Sequence, residues 1–228
     1  MGGYYTGGCS SHGRAKSNGL MLDTERYYYY SVKEMCEKKN IEVDMSVYRA
    51  VIGTSGPIDM EKFNKSKYPH NVLEKMICQY VENRRNELCE KGVATKKGLT
   101  ELLNTLNENK IVKVVGTSTP KPIAKKLLKS VGIEKEFSII VSATDVKNGK
   151  PAPDIFLLAC KEAQIPPERS LVLEDSEPGA KAAKAAGIPC IIVPDINYPK
   201  KEVAEGAEMI AKSLLDVEKL FAVITTNI

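Results

Sequence analysis

Apolar residues along this chain change their period near residue 93. Between Thr24 and Lys39 they recur at helical spacing, with Asp23 or Thr24 placed to cap the start. Asp44–Val51 and Asn71–Lys91 continue the helical pattern around a Gly53-Thr54-Ser55-Gly56-Pro57 loop, and strand signal is scarce from 24 to 92. That block predicts a small helical unit. From residue 93 short apolar runs alternate with amphipathic stretches. Helices are predicted over Leu99–Asn109, Lys121–Ser130, Asp154–Ala163 and Gly179–Ala186, with Gly132 and Gly187 closing the second and the fourth. Ile111–Val115, Phe137–Val141, Leu171–Leu173 and Cys190–Val193 read as the strands that follow them. This alternation implies an α/β architecture, a doubly wound parallel sheet with helices on both faces.

Residues 1–18 break the pattern. They hold no Val, Ile, Leu or Phe, and five of the eighteen are glycine. Such a stretch cannot fill a central strand, and flexibility is expected of it.

Composition narrows the function. The 228 residues carry a net charge of +4, spread evenly, with no arginine-rich or aromatic-interleaved basic stretch, so nucleic acid is not an expected partner. No apolar run approaches membrane-spanning length, and no membrane partner is expected. None of the six cysteines forms a C-x-x-C pair, and His12 and His70 lack zinc-ligand spacing. Reduced thiols in a cytoplasm are the expected state.

In a parallel sheet, sites lie beyond the carboxyl ends of the strands. Gly116-Thr117-Ser118-Thr119, Ser142-Ala143-Thr144-Asp145, Glu174-Asp175-Ser176 and Pro194-Asp195 occupy those positions. Thr117, Ser118 and Thr119 precede a helix, an arrangement that suits an anion and equally suits simple capping. Lys150 lies in Gly149-Lys150-Pro151-Ala152-Pro153-Asp154, where two prolines stiffen the backbone. A lysine held there makes a point charge for a phosphoryl group; an ordinary exposed turn lysine is the plainer alternative. The strongest local signal is Leu171-Val172-Leu173-Glu174-Asp175-Ser176 followed by Gly179. Two adjacent carboxylates ending a buried strand suit a hard cation such as Mg²⁺. Capping of the next helix by Asp175 or Ser176 accounts for one of these groups.

Together these segments resemble the haloacid dehalogenase (HAD) superfamily, in particular its capped phosphatases and beta-phosphoglucomutase-like members. The match runs over about residues 20–225, and it is carried by Leu20-Met21-Leu22-Asp23-Thr24-Glu25, Thr117, GKPAPDIF at 149–156 and Leu173-Glu174-Asp175-Ser176. It implies a Rossmann-like core formed by 19–23 and 93–228, with a helical cap at 24–92. It also implies Mg²⁺-dependent hydrolysis of small phosphorylated metabolites through an aspartyl phosphate. Thr117 and Lys150 are then catalytic, Ser118, Thr119 and Lys121 contact substrate, and Asp175 with Glu174 holds the metal.

The resemblance fails at one place. Lys16 stands where the family has its nucleophilic aspartate, and Asn18 where it has the acid/base aspartate. A lysine can neither attack phosphorus as a carboxylate nor bind a dication, and an asparagine cannot shuttle a proton. Lys16 is expected to repel Mg²⁺, and the chain as it stands is expected to be inactive or strongly impaired. Three accounts fit: a non-catalytic phosphometabolite-binding protein, an N-terminal segment that is not the native one, or a replacement nucleophile within 1–18. The missing strand favours the second. For substrate, the loop at Gly53-Thr54-Ser55-Gly56 lacks an arginine expected of the mutases, which favours a phosphatase over a phosphomutase. Tyr27–Tyr30 either line the substrate face of the cap or pack into its core.

Overall fold

A computed structural model describes residues 19–51 and 58–226. The positions read above as Lys16, Asn18 and the Gly53–Pro57 loop lie outside them.

The helical unit consists of α1 (Thr24–Lys38), α2 (Met45–Val51), the short α3 (Met60–Phe63) and α4 (His70–Lys91). Tyr28, Val32, Met35, Phe63, Leu73, Ile77, Val81 and Leu88 are all buried in one cluster, the periodic face of α1 laid against that of α4. Of the tyrosine run, Tyr28 is a core residue, Tyr27 bonds Glu87 at 3.1 Å, and Tyr30 faces solvent. Asp23 occupies the N-cap position of α1 but makes no capping bond. Its carboxylate is drawn instead to Lys96 Nζ, 2.6 Å away.

The α/β unit follows as α5 (Leu99–Glu108), β1 (Val114–Thr117), α6 (Lys121–Ser130), β2 (Ile139–Ser142), α7 (Asp154–Ala163), β3 (Val172–Glu174), α8 (Glu177–Ala185), β4 (Cys190–Ile192), α9 (Lys201–Ala204), β5 (Met209–Ile210) and α10 (Leu214–Thr226). Every pairing among the described strands is parallel. The alternation within each strand sorts its side chains between two faces. Val115 and Ile140 pack on α6, while Ile139 and Val141 pack on α7 and α8. Cys190 and Ile192 likewise meet α8, and Ile191 and Val193 meet α5 and α10. Helices therefore cover both faces, the α/β parallel architecture expected from the sequence.

Two differences are physical. β1 begins at Val114 rather than Ile111: Lys110 takes a positive φ of 54° and Ile111 N–H closes back on Leu106 O at 2.9 Å, so 111–113 return the chain from helix to sheet. The described strands also form two sheets, β1–β2 and β3–β4–β5, rather than one. They are joined through the helices and the shared apolar clusters.

Among the described cysteines, Cys36 and Cys190 are buried free thiols, and Cys89 and Cys160 are half-buried free thiols. No described helix is long and apolar enough to cross a membrane.

Candidate active site

The site lies where the strands end. β1 delivers Thr117, whose buried Oγ1 accepts a bond from Thr119 N–H at 3.0 Å. With that lone pair engaged, the Thr117 hydroxyl proton is left to donate elsewhere. Ser118 is half-buried and Thr119 buried. Lys121, in the first turn of α6, turns toward Asp145 at 3.8 Å. Ser142 N–H donates to the same Asp145 at 2.8 Å and holds its carboxyl below the usual carboxylate range.

Lys150 arrives on the loop before α7, preceding a cis peptide bond to Pro151. Its ammonium donates to Gly116 O at 3.0 Å and pairs with Glu174, and it lies 4.8 Å from the centre of the Phe156 ring. The lysine is therefore neither an exposed turn residue nor a free charge: its side chain is only 9 % exposed and that of Glu174 6 %.

Glu174 is fully engaged. Its Oε2 accepts from Asp175 N–H at 3.2 Å, Ser176 N–H at 3.3 Å and Ser176 Oγ at 2.9 Å. Ser176 in turn caps α8 by accepting from Gly179 N–H at 3.3 Å. Gly179 is required there, because a Cβ would overlap the Glu174 carboxylate. The two adjacent acids thus point to different places. Glu174 faces Lys150, and Asp175 faces a second group of acids.

That group is Glu25, Asp175 and Asp195, whose carboxylate oxygens lie within 4.8 Å of one another. Glu25 comes from the first turn of α1, Asp175 from the end of β3, and Asp195 from the loop after β4. Burial, and then the nearby Glu25 and Glu174 charges, hold the Asp175 carboxyl well above its ordinary range. Asp195 Oδ1 receives Lys96 Nζ at 2.5 Å and Arg26 Nε at 3.2 Å. Its Oδ2 is buried without a hydrogen-bond partner among the described residues. An all-oxygen donor set with a desolvated, orphaned carboxylate oxygen fits a hard divalent cation. Gly19 closes one wall: a Cβ on it would overlap Asp175 Oδ2 and lie 3.3 Å from Glu25 Cδ.

The structure brings Thr117, Lys150, Glu174 and Asp175 to one end of the sheet. Glu25 and Asp195 were missed as site residues. The strand-end rule pointed at Pro194-Asp195, and Glu25 was read only as the last letter of a matching run. What neither signal carried was that one acid in the helical unit and one after β4 converge on Asp175.

The haloacid dehalogenase-like hydrolase family model matches residues 18–193, and the chain belongs to that family. It is 29% identical to the phosphorylated carbohydrates phosphatase of Thermotoga maritima, over 86% of this chain and 91% of that protein. It is 28% identical to a beta-phosphoglucomutase of Bacillus subtilis, over 75% of this chain and 77% of the other. Among solved structures, CbbY from Rhodobacter sphaeroides in complex with phosphate superposes with a TM-score of 0.65 at 25% identity, covering 88% of this chain and 92% of its own.

Proposed function

We propose that this fold is that of a phosphatase acting on small phosphorylated metabolites, with residues 24–92 serving as its cap. The observation that carries the reading is Lys150, whose ammonium touches the end of β1 and the end of β3 at once. A single cation at that point supports a phosphoryl site bounded by Thr117, Lys150 and Asp175. The names of the phosphatase and mutase relatives favour the same substrate class.

In such a site the Thr117 hydroxyl and the N-terminus of α6 donate to the phosphoryl oxygens, and Lys150 offsets the charge that grows on them. Lys150 would have to share its ammonium between Glu174 and substrate. Mg²⁺, when bound at Asp175, supplies charge neutralisation that lets an anionic nucleophile approach an anionic phosphate. Attack by a carboxylate on phosphorus forms the acyl phosphate and breaks the ester P–O bond; water then cleaves the acyl phosphate. Lys16 cannot make that attack, and Asn18 cannot protonate the leaving oxygen. The chain with Lys16 and Asn18 is therefore a strongly impaired phosphatase that retains phosphate-binding groups.

Hydrolysis of p-nitrophenyl phosphate with Mg²⁺ tests the reading. The unaltered chain should stay near background, and Lys16→Asp combined with Asn18→Asp should raise turnover by at least about 10²-fold, the usual scale of a general acid/base contribution. Ordinary turnover by the unaltered chain, or none from the double variant while it folds and binds phosphate, would reject it.

A further inference from the structure

We propose that Phe156 is a positioning residue of the phosphoryl site: the face of its ring holds the Lys150 ammonium where the ends of β1 and β3 meet. The inference deepens the reading above and rests on it for the effect on turnover; the contact itself rests on geometry.

Lys150 and Phe156 belong to one closed segment. Asn148 donates to Asp154 Oδ1 from its backbone N–H at 3.3 Å and from Nδ2 at 3.0 Å, and Ala152 N–H donates to Gly149 O at 3.0 Å. The loop is thereby tied to the first turn of α7, which carries Phe156. Its lysine returns over that ring, with Nζ 4.8 Å from the ring centre. The strand is shaped for the same contact. A Cβ on Gly116 would lie 3.2 Å from Phe156 Cε1 and 3.3 Å from Cδ1, so the bare strand is what lets the ring come this close to β1.

An ammonium has three N–H groups. Among the described residues that of Lys150 meets two acceptors, Gly116 O and Glu174. A phosphoryl oxygen takes the third. The ring attracts the charge through its π face without accepting a directed bond, so it holds the cation and leaves free the donor that substrate needs. The Lys150 side chain is shielded from water, and desolvation strengthens that attraction. An aliphatic side chain could fill the same space in the apolar cluster that Phe156 shares with Val141 and Ile155, but it has no negative face to offer.

Replacing Phe156 with mono-, di- and trifluorinated phenylalanine tests the assignment. Fluorine drains the π face and changes the ring's size little, so a packing role predicts a flat series. In the chain carrying Lys16→Asp and Asn18→Asp, kcat for p-nitrophenyl phosphate should fall stepwise, by about three- to tenfold at the trifluorinated ring, with KM moving less. Phe156→Leu should fall at least as far. In the unaltered chain, the trifluorinated ring should lower the urea midpoint by roughly 0.3 M. That loss should vanish when Lys150→Met and Glu174→Gln are both present, a pair that removes the ammonium together with the acid it neutralises. A flat kcat series in an active enzyme overturns the proposal, as does a urea loss that is absent or that persists without Lys150. The two readings fail separately. An inert Lys16→Asp, Asn18→Asp chain with the urea coupling intact removes only the phosphatase. An active one with a flat series removes only the role of Phe156.

Discussion

Lys150 and Glu174 form a buried ion pair that bridges the two sheets. Thr117 O accepts from Ala143 N–H on the β2 side, so the Gly116 carbonyl, one residue earlier, points to the opposite side of β1. There it meets Lys150 Nζ at 3.0 Å. One side chain thus satisfies a strand edge and neutralises an acid at the end of β3. Lys150→Met should destabilise the fold by about 3–5 kcal/mol, because it strands a buried carboxylate. Lys150→Met with Glu174→Gln should cost less than Lys150→Met alone. Urea unfolding of the two single variants and the double variant checks the coupling.

Asp175 gives the metal-free protein a pH dependence of known sign. Its folded-state carboxyl is raised above 3.8 by burial and by Glu25 and Glu174. The folded state then binds the proton more tightly than the unfolded chain. That stability is fully present below 3.8 and is lost as pH rises through the raised value. In EDTA, urea midpoints should fall as pH rises from 3.8. Asp175→Asn should flatten the slope, and the unaltered protein should regain stability at pH 8 when Mg²⁺ is added.

Gly98 joins α5 to α10. Its φ is +89°, and a Cβ there would sit 2.5 Å from Leu215 Cα and 2.7 Å from Leu214 C. Backbone cannot step aside as a side chain can. Gly98→Ala should therefore destabilise by about 1–3 kcal/mol, from overpacking added to left-handed strain. Calorimetry would register a lowered Tm.

The helical unit docks on the loop after β4 through a reciprocal pair. Arg49 Nη2 donates to Ile196 O at 2.6 Å, and Asn197 Nδ2 donates back to Arg49 O at 3.0 Å. Both residues are exposed, so Arg49→Ala should change global stability by less than about 1 kcal/mol. It should nevertheless speed amide exchange along α2, which loses its anchor. Hydrogen exchange followed by mass spectrometry separates the two effects.

Much of the architecture was legible because each strand and helix carries its own period. The α6 face at Ala124, Leu127 and Leu128 and the paired alternation of Ile139, Ile140 and Val141 are local signals that tertiary packing only had to honour. β5 went unread, since two residues, Met209 and Ile210, show no period. The site was readable as positions rather than directions. Glu174 and Asp175 are neighbours in sequence and at the same strand end, yet one faces Lys150 and the other faces Glu25 and Asp195. Which way a strand-end side chain turns depends on partners 24 residues away for Lys150 and far more for Glu25. The capping bond expected of Asp23 was lost to the same cause, a lysine distant in sequence.

The chains entering and leaving the helical unit run side by side. Leu22 bridges Thr95, Asp23 N–H bonds Ala94 O at 2.9 Å, and Lys96 N–H bonds Met21 O at 2.8 Å. The helical unit also rests on α6, whose Leu127 joins its apolar cluster, and on the loop after β4 through Arg26 and Arg49, so any rotation about this neck has to part those contacts. Displacement about such an axis grows with distance from it: the α3–α4 loop around Tyr68 would sweep widely, while Glu25, two residues past Asp23, would scarcely travel. Glu25, the acid that the helical unit sends toward Asp175 and Asp195, therefore sits where such a rotation would disturb it little.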